Sequence, residues 1–358
     1  MKKFFFLIFL IFIFFIFIFL LSFISRKFII NNYGTKYSKE TLIIYKKYYK
    51  TLNHLRSPWF FDSKNLIYTV IGEGDESIIF QGDSWSEELT HEKYKKKLKK
   101  FSKEHNLKLY LSGVSSYSPS LYNAQLDLLI SEFNIKPKQI IVFFDHSDIG
   151  DELCRYKNSI KKIDGKHIVQ PFVKSDEQQI FYLDNTFKRL KILVSDEYNL
   201  LKLIKLSWLK IVDMLNNRGI KKCSSDKILS FLEIGISSSE KEYLIKILKR
   251  YFENILNIKE LERLLIVTHP HKKHLTNDYV FKIDDLIEST LTQIPKDTRV
   301  SILDFENFTK SYTKNNDLNM IFIHNDKFSH LSEEYYNKHY LQNILNEISI
   351  RQKYNLNK

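Results

Sequence analysis

The sequence predicts an α/β fold: a doubly wound parallel sheet of about five strands with helices on both faces, a helical insertion after the third strand and an N-terminal transmembrane helix. Three observations lead to this prediction. From residue 67 onward, short apolar segments alternate with amphipathic ones, which is the pattern of a parallel sheet covered by helices. The stretch 153–236 after the third strand is much longer than an ordinary crossover. Residues 4–24 form an almost uninterrupted apolar run.

The apolar run 4–24 is interrupted only by Ser22, and about 20 such residues are what the hydrocarbon core of a bilayer requires. Phe23 and Ile24 stand where a cleavable signal peptide has small residues, so we expect an uncleaved anchor that attaches the protein to a membrane. Basic residues flank the run on both sides, and the positive-inside rule therefore gives no orientation. Residues 1–27 are predicted to be the transmembrane anchor with its flanks.

Charge and composition exclude some classes of function. The formal net charge is +13, but it comes mostly from lysine spread through the sequence, and arginine, the better phosphate ligand, is scarce. We therefore expect a lysine-rich solvated surface and no nucleic-acid partner. A hydrophobic content of 44% over 358 residues is that of a folded globular chain. The two cysteines, Cys154 and Cys223, fit either one disulfide in an oxidising compartment or two buried thiols.

The elements of the main domain follow from apolar patterning between residues 67 and 350. Strands are predicted at 77–80, 108–111, 139–144, 264–268 and 300–305. Helices are predicted at 91–105, 119–133, 198–215, 237–255 and 333–347. The helix 198–215 lies inside the insertion 153–236. Residues 28–66 are interpreted as a stalk with an ancillary element, and 351–358 as a polar tail.

The segment IIFQGDSWSEE, residues 78–88, places Ser84 on a turn directly after a buried strand. At the carboxyl edge of a parallel sheet such a hydroxyl is exposed, and the helix that follows points backbone N–H groups at the same spot. Ser84 is therefore a candidate nucleophile. Gly82 leaves room for a substrate carbonyl, and the Ser84 amide would be one donor to the oxyanion. The competing interpretation is a helix N-cap, which is the commoner role of such a serine.

Other segments would complete a nucleophilic site. Gly113 ends the second strand, where its N–H would be a second oxyanion donor. The late segment IHNDKFSHLSEEYY contains His330 as a candidate general base and Asp326 as the acid that would orient it. An early serine and a late histidine joined by a doubly wound sheet can meet at one sheet edge.

Four segments together resemble the blocks of the SGNH (GDSL-like) hydrolase family: GDSWSE, the turn with Gly113, DHSD at 145–148 and DKFSH at 326–330. The resemblance covers residues 77–151 and 264–341. It implies a flavodoxin-like sheet and a serine hydrolase or acyltransferase that acts on ester bonds without a cofactor.

The resemblance also implies roles for individual residues. Ser84 maps as the nucleophile, with His330 and Asp326 as the other catalytic residues. The oxyanion hole maps to Ser84, Gly113 and Ser147.

Two of the blocks depart from the family pattern. Asp145 replaces the glycine of the third block, and Ser147 replaces its oxyanion asparagine. In the fourth block Asp326 lies four residues before His330, and Lys327 occupies the expected position of the acid. The position of the orienting acid affects different Ser-His pairs by very different amounts. The sequence therefore leaves open whether the site keeps full activity.

Five more polar side chains at strand ends are candidate substrate-binding residues: Asp83, Asp145, Asp148, His269 and His271. For Asp145 and Asp148, helix capping or ion pairing is at least as good an interpretation. The segment VTHPHKKHL has three histidines, including His274, but no matching carboxylate pair, so the zinc signal is weak and ordinary loop histidines are the better interpretation. We predict neither a metal nor a cofactor.

The leading functional hypothesis is a membrane-anchored, SGNH-like serine esterase or O-acyltransferase that acts on acyl esters, with acetyl favoured, of cell-envelope carbohydrate. Its partners would be the acylated carbohydrate and the membrane, with the catalytic domain on the periplasmic or extracytoplasmic side. One alternative is a catalytically weakened protein of the same fold that binds carbohydrate or serves in assembly. Another is an esterase that acts on lipids at the membrane surface.

Overall fold

The chain divides into two units. The structure is a computed structural model that describes residues 2–33, 37–52, 55–57, 61–157, 160–163, 166–169, 176–216, 223, 225–276, 281–313 and 317–356. The first unit comprises Met1–Leu66 and Val173–Lys221, and the second comprises Ile67–Phe172 and Lys222–Lys358. Residues 173–221 of the insertion predicted at 153–236 thus belong to the same unit as the N-terminal segment. The other predicted residues of that insertion belong to the second unit.

Eight strands occur among the described residues. They are β1 Thr69–Ile71, β2 Glu76–Gln81, β3 Leu107–Leu111, β4 Pro137–Phe144, β5 Ile160–Ile163, β6 Lys166–Val169, β7 Arg263–Thr268 and β8 Val300–Asp304. All five predicted strands are present, as β2, β3, β4, β7 and β8. Three strands were not predicted: β1, which adds an antiparallel edge to the sheet, and the small antiparallel pair β5–β6 within the predicted insertion.

The main sheet has six strands in the order β1-β3-β2-β4-β7-β8. The five predicted strands pair in parallel throughout, and if they are numbered along the chain their order is 2-1-3-4-5. In sheets of this kind the crevice lies outside the carboxyl ends of the two strands where the order reverses. Here those strands are β2 and β4. The turns that follow Gln81 and Phe144 therefore border the crevice.

Sixteen α-helices are described, several of them short. They are α1 Lys2–Tyr33, α2 Lys39–Leu52, α3 Ser84–Glu87, α4 Glu92–Glu104, α5 Pro119–Ser131, α6 His146–Asp151, α7 Asp176–Val194, α8 Asn199–Asn216, α9 Ser225–Ile234, α10 Ser238–Leu256, α11 Lys272–Leu275, α12 Ile283–Leu291, α13 Phe305–Thr313, α14 Leu318–Ile321, α15 Glu333–Tyr335 and α16 Leu341–Leu356.

The five parallel strands and the helices α4, α5 and α10 form where apolar spacing and capping residues predict them. The helices α9, α12 and α13 of the second unit were not predicted. The central strands β4 and β7 are buried almost throughout, as parallel strands covered on both faces must be. The helix α10 begins with a capping box in which Ser237 and Glu240 each accept from the other's backbone N–H. Its apolar face buries a row of side chains at helical spacing: Leu244, Leu248, Tyr251, Phe252 and Ile255.

The C-terminal elements differ from the prediction in their bounds. The strand predicted at 300–305 ends at Asp304, and Phe305 begins α13. The helix predicted at 333–347 is divided into α15 and α16 by a π-helical turn, Tyr336–Tyr340. The residues predicted to be a polar tail are helical to Leu356. A polar composition alone did not distinguish the last turns of a helix from a tail.

Within the first unit, α1 has the length and apolarity of a membrane-spanning helix. The segment Phe4–Asn32 has 29 residues, and its apolar 18-residue window has a mean hydropathy of 3.5 with no residue buried. Ser22, Ser25 and Ile29, toward its end, are buried. The helix α8 packs on α1 and also exposes large apolar side chains, among them Leu201, Ile204 and Trp208. Both helices therefore present apolar surface that the described protein does not cover.

A disulfide joins Cys154 to Cys223 within the second unit. The interpretation as two buried thiols is therefore wrong. Disulfides form and persist mainly in oxidising compartments.

Candidate active site

The turn after β2 holds Ser84 at the first position of α3. Asp83, not Ser84, caps this helix, because the Oδ1 atom of Asp83 accepts a hydrogen bond from the Trp85 N–H at 3.0 Å. The N-cap interpretation of Ser84 is therefore wrong. Ser84 is half-buried, and its hydroxyl does not serve as the helix cap.

Ser84, His330 and Asp326 form a continuous chain of hydrogen-bonding groups. The Ser84 Oγ atom lies 3.0 Å from His330 Nε2, and His330 Nδ1 lies 2.5 Å from Asp326 Oδ2. The side chains of His330 and Asp326 are 24% and 19% exposed, so the group is accessible at one side. This geometry allows His330 to take the Ser84 proton while Asp326 fixes the tautomer of the ring.

Hydrogen bonds to the Asp326 carboxylate close the loop that carries this acid and the base His330. Its carboxylate accepts from the backbone N–H groups of Phe328 at 3.1 Å and His330 at 2.7 Å. The extra residue between the acid and the base is accommodated by Ser329, which has the left-handed φ of 58°. Asp326 therefore reaches the far ring nitrogen even though it lies four residues before His330.

His330 and Asp326 each shift the pKa of the other. Burial opposes the protonated form of His330, but the Asp326 hydrogen bond and charge, with smaller contributions from Asp83 and Asp145, raise the pKa of the imidazole above its usual value. Burial likewise opposes the charged form of Asp326, and the hydrogen bond and charge of His330 outweigh it and lower the pKa of the carboxyl. The pair is thus held as imidazolium and carboxylate over a wider pH range than either group alone.

A second carboxylate contacts the serine. Asp83 Oδ2 lies 3.0 Å from Ser84 Oγ, so it competes with His330 for the one hydroxyl hydrogen. Burial, reinforced by the charge of Asp145, raises the pKa of Asp83 well above its usual value. A protonated Asp83 donates to Ser84 Oγ instead of accepting from it. The serine hydrogen is then directed to His330.

Trp85 joins the serine turn to the histidine, and the sequence analysis did not single it out. Its indole ring stacks on His269 at 4.0 Å and on His330 at 5.5 Å between ring centroids. Its Nε1–H donates to Asp145 Oδ2 at 2.6 Å. The one signal in the sequence was a large aromatic residue directly after the candidate nucleophile, where a helix start at a sheet edge has to be packed.

Asp83, Asp145 and Asp148 lie together but serve the local structure. Asp145 and Asp148 form the capping box of α6, and Asp148 Oδ1 also accepts from the Tyr122 hydroxyl at 2.8 Å. Each of the six carboxylate oxygens of the three residues has a hydrogen-bond partner. Their candidate role in substrate binding would require some of these bonds to break, whereas the capping interpretation of Asp145 and Asp148 requires no change.

The two other predicted oxyanion residues are placed differently. Ser147 is buried at the start of α6, and both its N–H and its hydroxyl engage Asp145. Gly113 packs directly on α3, since a Cβ atom there would lie 2.4 Å from the Glu87 nitrogen. Gly113 therefore lies beside α3, and Ser147 takes part in the cap of α6.

The two histidines expected at the cleft edge are interior residues. His269 is completely buried, and the Tyr340 hydroxyl lies 2.7 Å from its Nδ1. Desolvation lowers the pKa of His269 well below its usual value, so the ring is neutral. His271 caps α11 by accepting from the Lys273 N–H. The structure thus gives both histidines packing or capping contacts.

Comparisons with known proteins give weak similarities. No protein-family model matches this sequence, and no curated protein matches it. One similar solved structure is LAE5, an α/β hydrolase enzyme from the metagenome of Lake Arreo, Spain, with a TM-score of 0.38 and 9% identity over 72% of this chain and 88% of that chain.

A second similar structure is the acetyl xylan esterase Est2A from the rumen bacterium Butyrivibrio proteoclasticus, with a TM-score of 0.28 and 11% identity over 65% of this chain and 56% of that chain. A third is an α/β hydrolase fold protein of unknown function, with a TM-score of 0.29 and 11% identity over 80% of this chain and 92% of that chain. Similarities at this level do not identify a family for this chain.

The coupling of His330 to Asp326 predicts a pH dependence. Only the neutral imidazole can accept the Ser84 proton, so kcat/KM for an acetyl ester should fall as pH drops through the raised pKa of His330, above about 6.5. In Asp326→Asn the raising charge is lost while burial remains, so the inflection should move to lower pH. The rate should fall by about 10²- to 10⁴-fold.

The control is Asp317→Asn, since Asp317 caps the nearby helix α14. This variant should keep the wild-type inflection. An inflection that does not move in Asp326→Asn would contradict the assignment of Asp326 as the partner of the base.

Proposed function

We propose that this chain is a serine esterase or O-acyltransferase that uses Ser84 as its nucleophile. One observation carries the proposal: the hydrogen-bonded path from Ser84 Oγ through the two ring nitrogens of His330 to Asp326, with distances of 3.0 and 2.5 Å. A nucleophile within reach of a base, which is in turn oriented by a third group, is the arrangement that activates a hydroxyl for attack on a carbonyl.

The reaction has two steps. His330 Nε2 takes the proton of Ser84, the serine oxygen attacks the ester carbonyl carbon, and the tetrahedral intermediate collapses to an acyl-serine as the leaving alcohol takes the proton from His330. Water or a sugar hydroxyl then gives its proton to His330 and attacks the acyl-serine. As the acyl–oxygen bond breaks, His330 returns this proton to Ser84 Oγ, which restores the free serine. The acceptor decides between hydrolysis and transfer.

The oxyanion is held mainly by the Ser84 amide in this proposal. Ser84 is the first residue of α3, where helix geometry gives the N–H no acceptor within the helix, and the positive end of the helix faces the same point. Gly113, which packs on α3, is the candidate second donor. Ser147 becomes a donor only if its hydroxyl leaves Asp145. One strong donor is typically worth about 10²- to 10³-fold in rate.

The finer assignment to the SGNH type rests on the resemblance of the four sequence blocks. Two features support it: a flavodoxin-like strand order and a histidine that follows its acid by a short loop. In this proposal the acid is the Asp326 carboxylate in spite of its shifted position.

The localisation in the proposal is a membrane-anchored enzyme with its catalytic unit outside the cytoplasm. The apolar helix α1 supports the anchor, and the Cys154–Cys223 disulfide supports an oxidising compartment. Envelope carbohydrate as the substrate, and acetyl as the acyl group, follow from this location and from the resemblance.

The location can be tested with alkaline phosphatase, which is active only outside the cytoplasm, fused after Lys358. The fusion to the full chain should be active, because α1 would carry the catalytic unit across the membrane. The same fusion without residues 2–27 should be inactive. Activity in the truncated fusion, or none in the full one, would contradict the proposed side of the membrane.

A fluorophosphonate probe tests the nucleophile. The full chain in detergent should be labelled, Ser84→Ala should not be, and its esterase activity should fall by about 10⁴-fold or more. The control is Ser115→Ala, an exposed serine of the turn after β3, which should be labelled like the wild type.

The rival function is a protein that binds acylated carbohydrate without turning it over, and the commitment of Ser147 to capping favours it. If the wild type is not labelled and Ser84→Ala binds the carbohydrate unchanged, this rival replaces the esterase.

The length of the acyl chain separates carbohydrate from lipid substrates. We expect p-nitrophenyl acetate to be a far better substrate than the laurate, because the described side chains that contact Ser84 Oγ, Asp83 and His330, are polar. Each methylene that fits an apolar pocket would add about 0.8 kcal/mol of binding. A preference for laurate would favour the lipid esterase, for which the exposed apolar surface of α8 is the supporting observation.

A further inference from the structure

Three side chains with metal-binding atoms meet at the carboxyl edge of the sheet, apart from the catalytic group. His146 begins α6 after β4, His274 lies in α11 after β7, and Glu306 lies in α13 after β8. One ligand atom from each lies within 4.8 Å of the others. Three turns that follow three neighbouring strands thus deliver two imidazoles and a carboxylate to one point.

The three side chains are buried and their polar atoms are incompletely used. Their exposures are 1%, 1% and 3%. Among the residues that the structure describes, His146 Nε2 and Glu306 Oε2 have no hydrogen-bond partner. A buried polar atom without a partner costs about 1–3 kcal/mol, so two of them facing the same point call for a ligand there.

The contacts around the group orient it as a coordination site. His274 Nε2 donates to the Phe281 carbonyl at 2.6 Å, so its Nδ1 carries the lone pair, and this Nδ1 lies 3.8 Å from Glu306 Oε2. The other carboxylate oxygen of Glu306 accepts from Lys310 Nζ at 2.6 Å. Outer partners that fix the tautomer of a histidine and the rotation of a carboxylate are typical of metal ligands.

We propose that His146, His274 and Glu306 bind one divalent transition-metal ion, with zinc as the favoured metal. Two imidazoles and one carboxylate are a donor set that zinc accepts, whereas calcium and magnesium require mainly oxygen. Zinc bonds of 2.0–2.1 Å place the donors of a tetrahedral site about 3.3 Å apart. The 3.8 Å between His274 Nδ1 and Glu306 Oε2 needs only a small contraction.

The bound ion is structural: it links the turns after β4, β7 and β8, which contact the catalytic loop and its neighbours. His146 is next to Asp145, which accepts a hydrogen bond from the Trp85 indole. The helix α11 is joined to the catalytic loop, since the Lys272 N–H donates to Ser329 Oγ at 3.2 Å. One ion would therefore tie the ends of β4, β7 and β8 together. The proposal does not depend on whether Ser84 is a nucleophile.

The test is the zinc content and affinity of the full chain, purified in detergent, stripped with EDTA and dialysed against zinc alone. The wild type should bind one zinc per chain. His146→Ala and Glu306→Gln should weaken binding more than the roughly 10- to 100-fold that changes of outer partners cost. His271→Asn is the matched control, because asparagine also caps a helix and His271 is not in the ligand group.

Two readouts keep the result clear if a variant folds poorly. Cobalt added to the stripped wild type should give the visible absorption of a four-coordinate site, and zinc should raise the melting temperature of the wild type but not of Glu306→Gln. Absence of zinc binding by the wild type would overturn the proposal, and so would equal zinc in the wild type and both ligand variants. Fluorophosphonate labelling is a separate measurement, so failure here and failure of the serine assignment are distinguishable.

Discussion

Parallel pairing of five strands is the constraint on which the rest of this protein depends. It places the carboxyl ends of β2, β3, β4, β7 and β8 at one edge, so that the polar turn after each strand must share a small volume with the others. Burying that many polar groups is tolerated only when each finds a partner. Asp83, Asp145 and Asp148 satisfy the condition through helix caps, the Trp85 indole and the Tyr122 hydroxyl.

Trp85 couples this buried carboxylate cluster to the site above it. The indole donates to Asp145 and stacks on His330, so it connects the cluster to the ring that would act as base. The same carboxylates contribute to the raised pKa of His330, while burial raises their own pKa values. Because a raised pKa disfavours the charged form of these carboxylates, they contribute less to the raised pKa of His330 than Asp326 does. Asp326, half-buried and with a lowered pKa, supplies most of this shift.

Apolar patterning and helix-capping residues predicted all five parallel strands and the helices α1, α4, α5, α8 and α10, with α15 and α16 as one helix, because both signals are local. The features that were missed depend on contacts between distant segments. Trp85 contacts residues from three later segments. His146 and Glu306 lie far along the chain from His274, which belongs to a segment considered for zinc on its sequence. No carboxylate pair lies near His274 in sequence, whereas the fold brings Glu306, after β8, to 3.8 Å from its Nδ1.

The position of Asp326 illustrates how a local departure from a family pattern can leave a contact intact. A loop one residue longer would rotate the acid away from the ring if every residue kept an extended or helical conformation. Ser329 adopts a left-handed conformation instead, and Asp326 accepts from two N–H groups of the same loop, so the acid and the base form one closed turn. The Ser329 hydroxyl also accepts from the Lys272 N–H, which attaches this turn to α11. The orientation of the base thus depends on the fold of the neighbouring histidine segment as well as on its own loop.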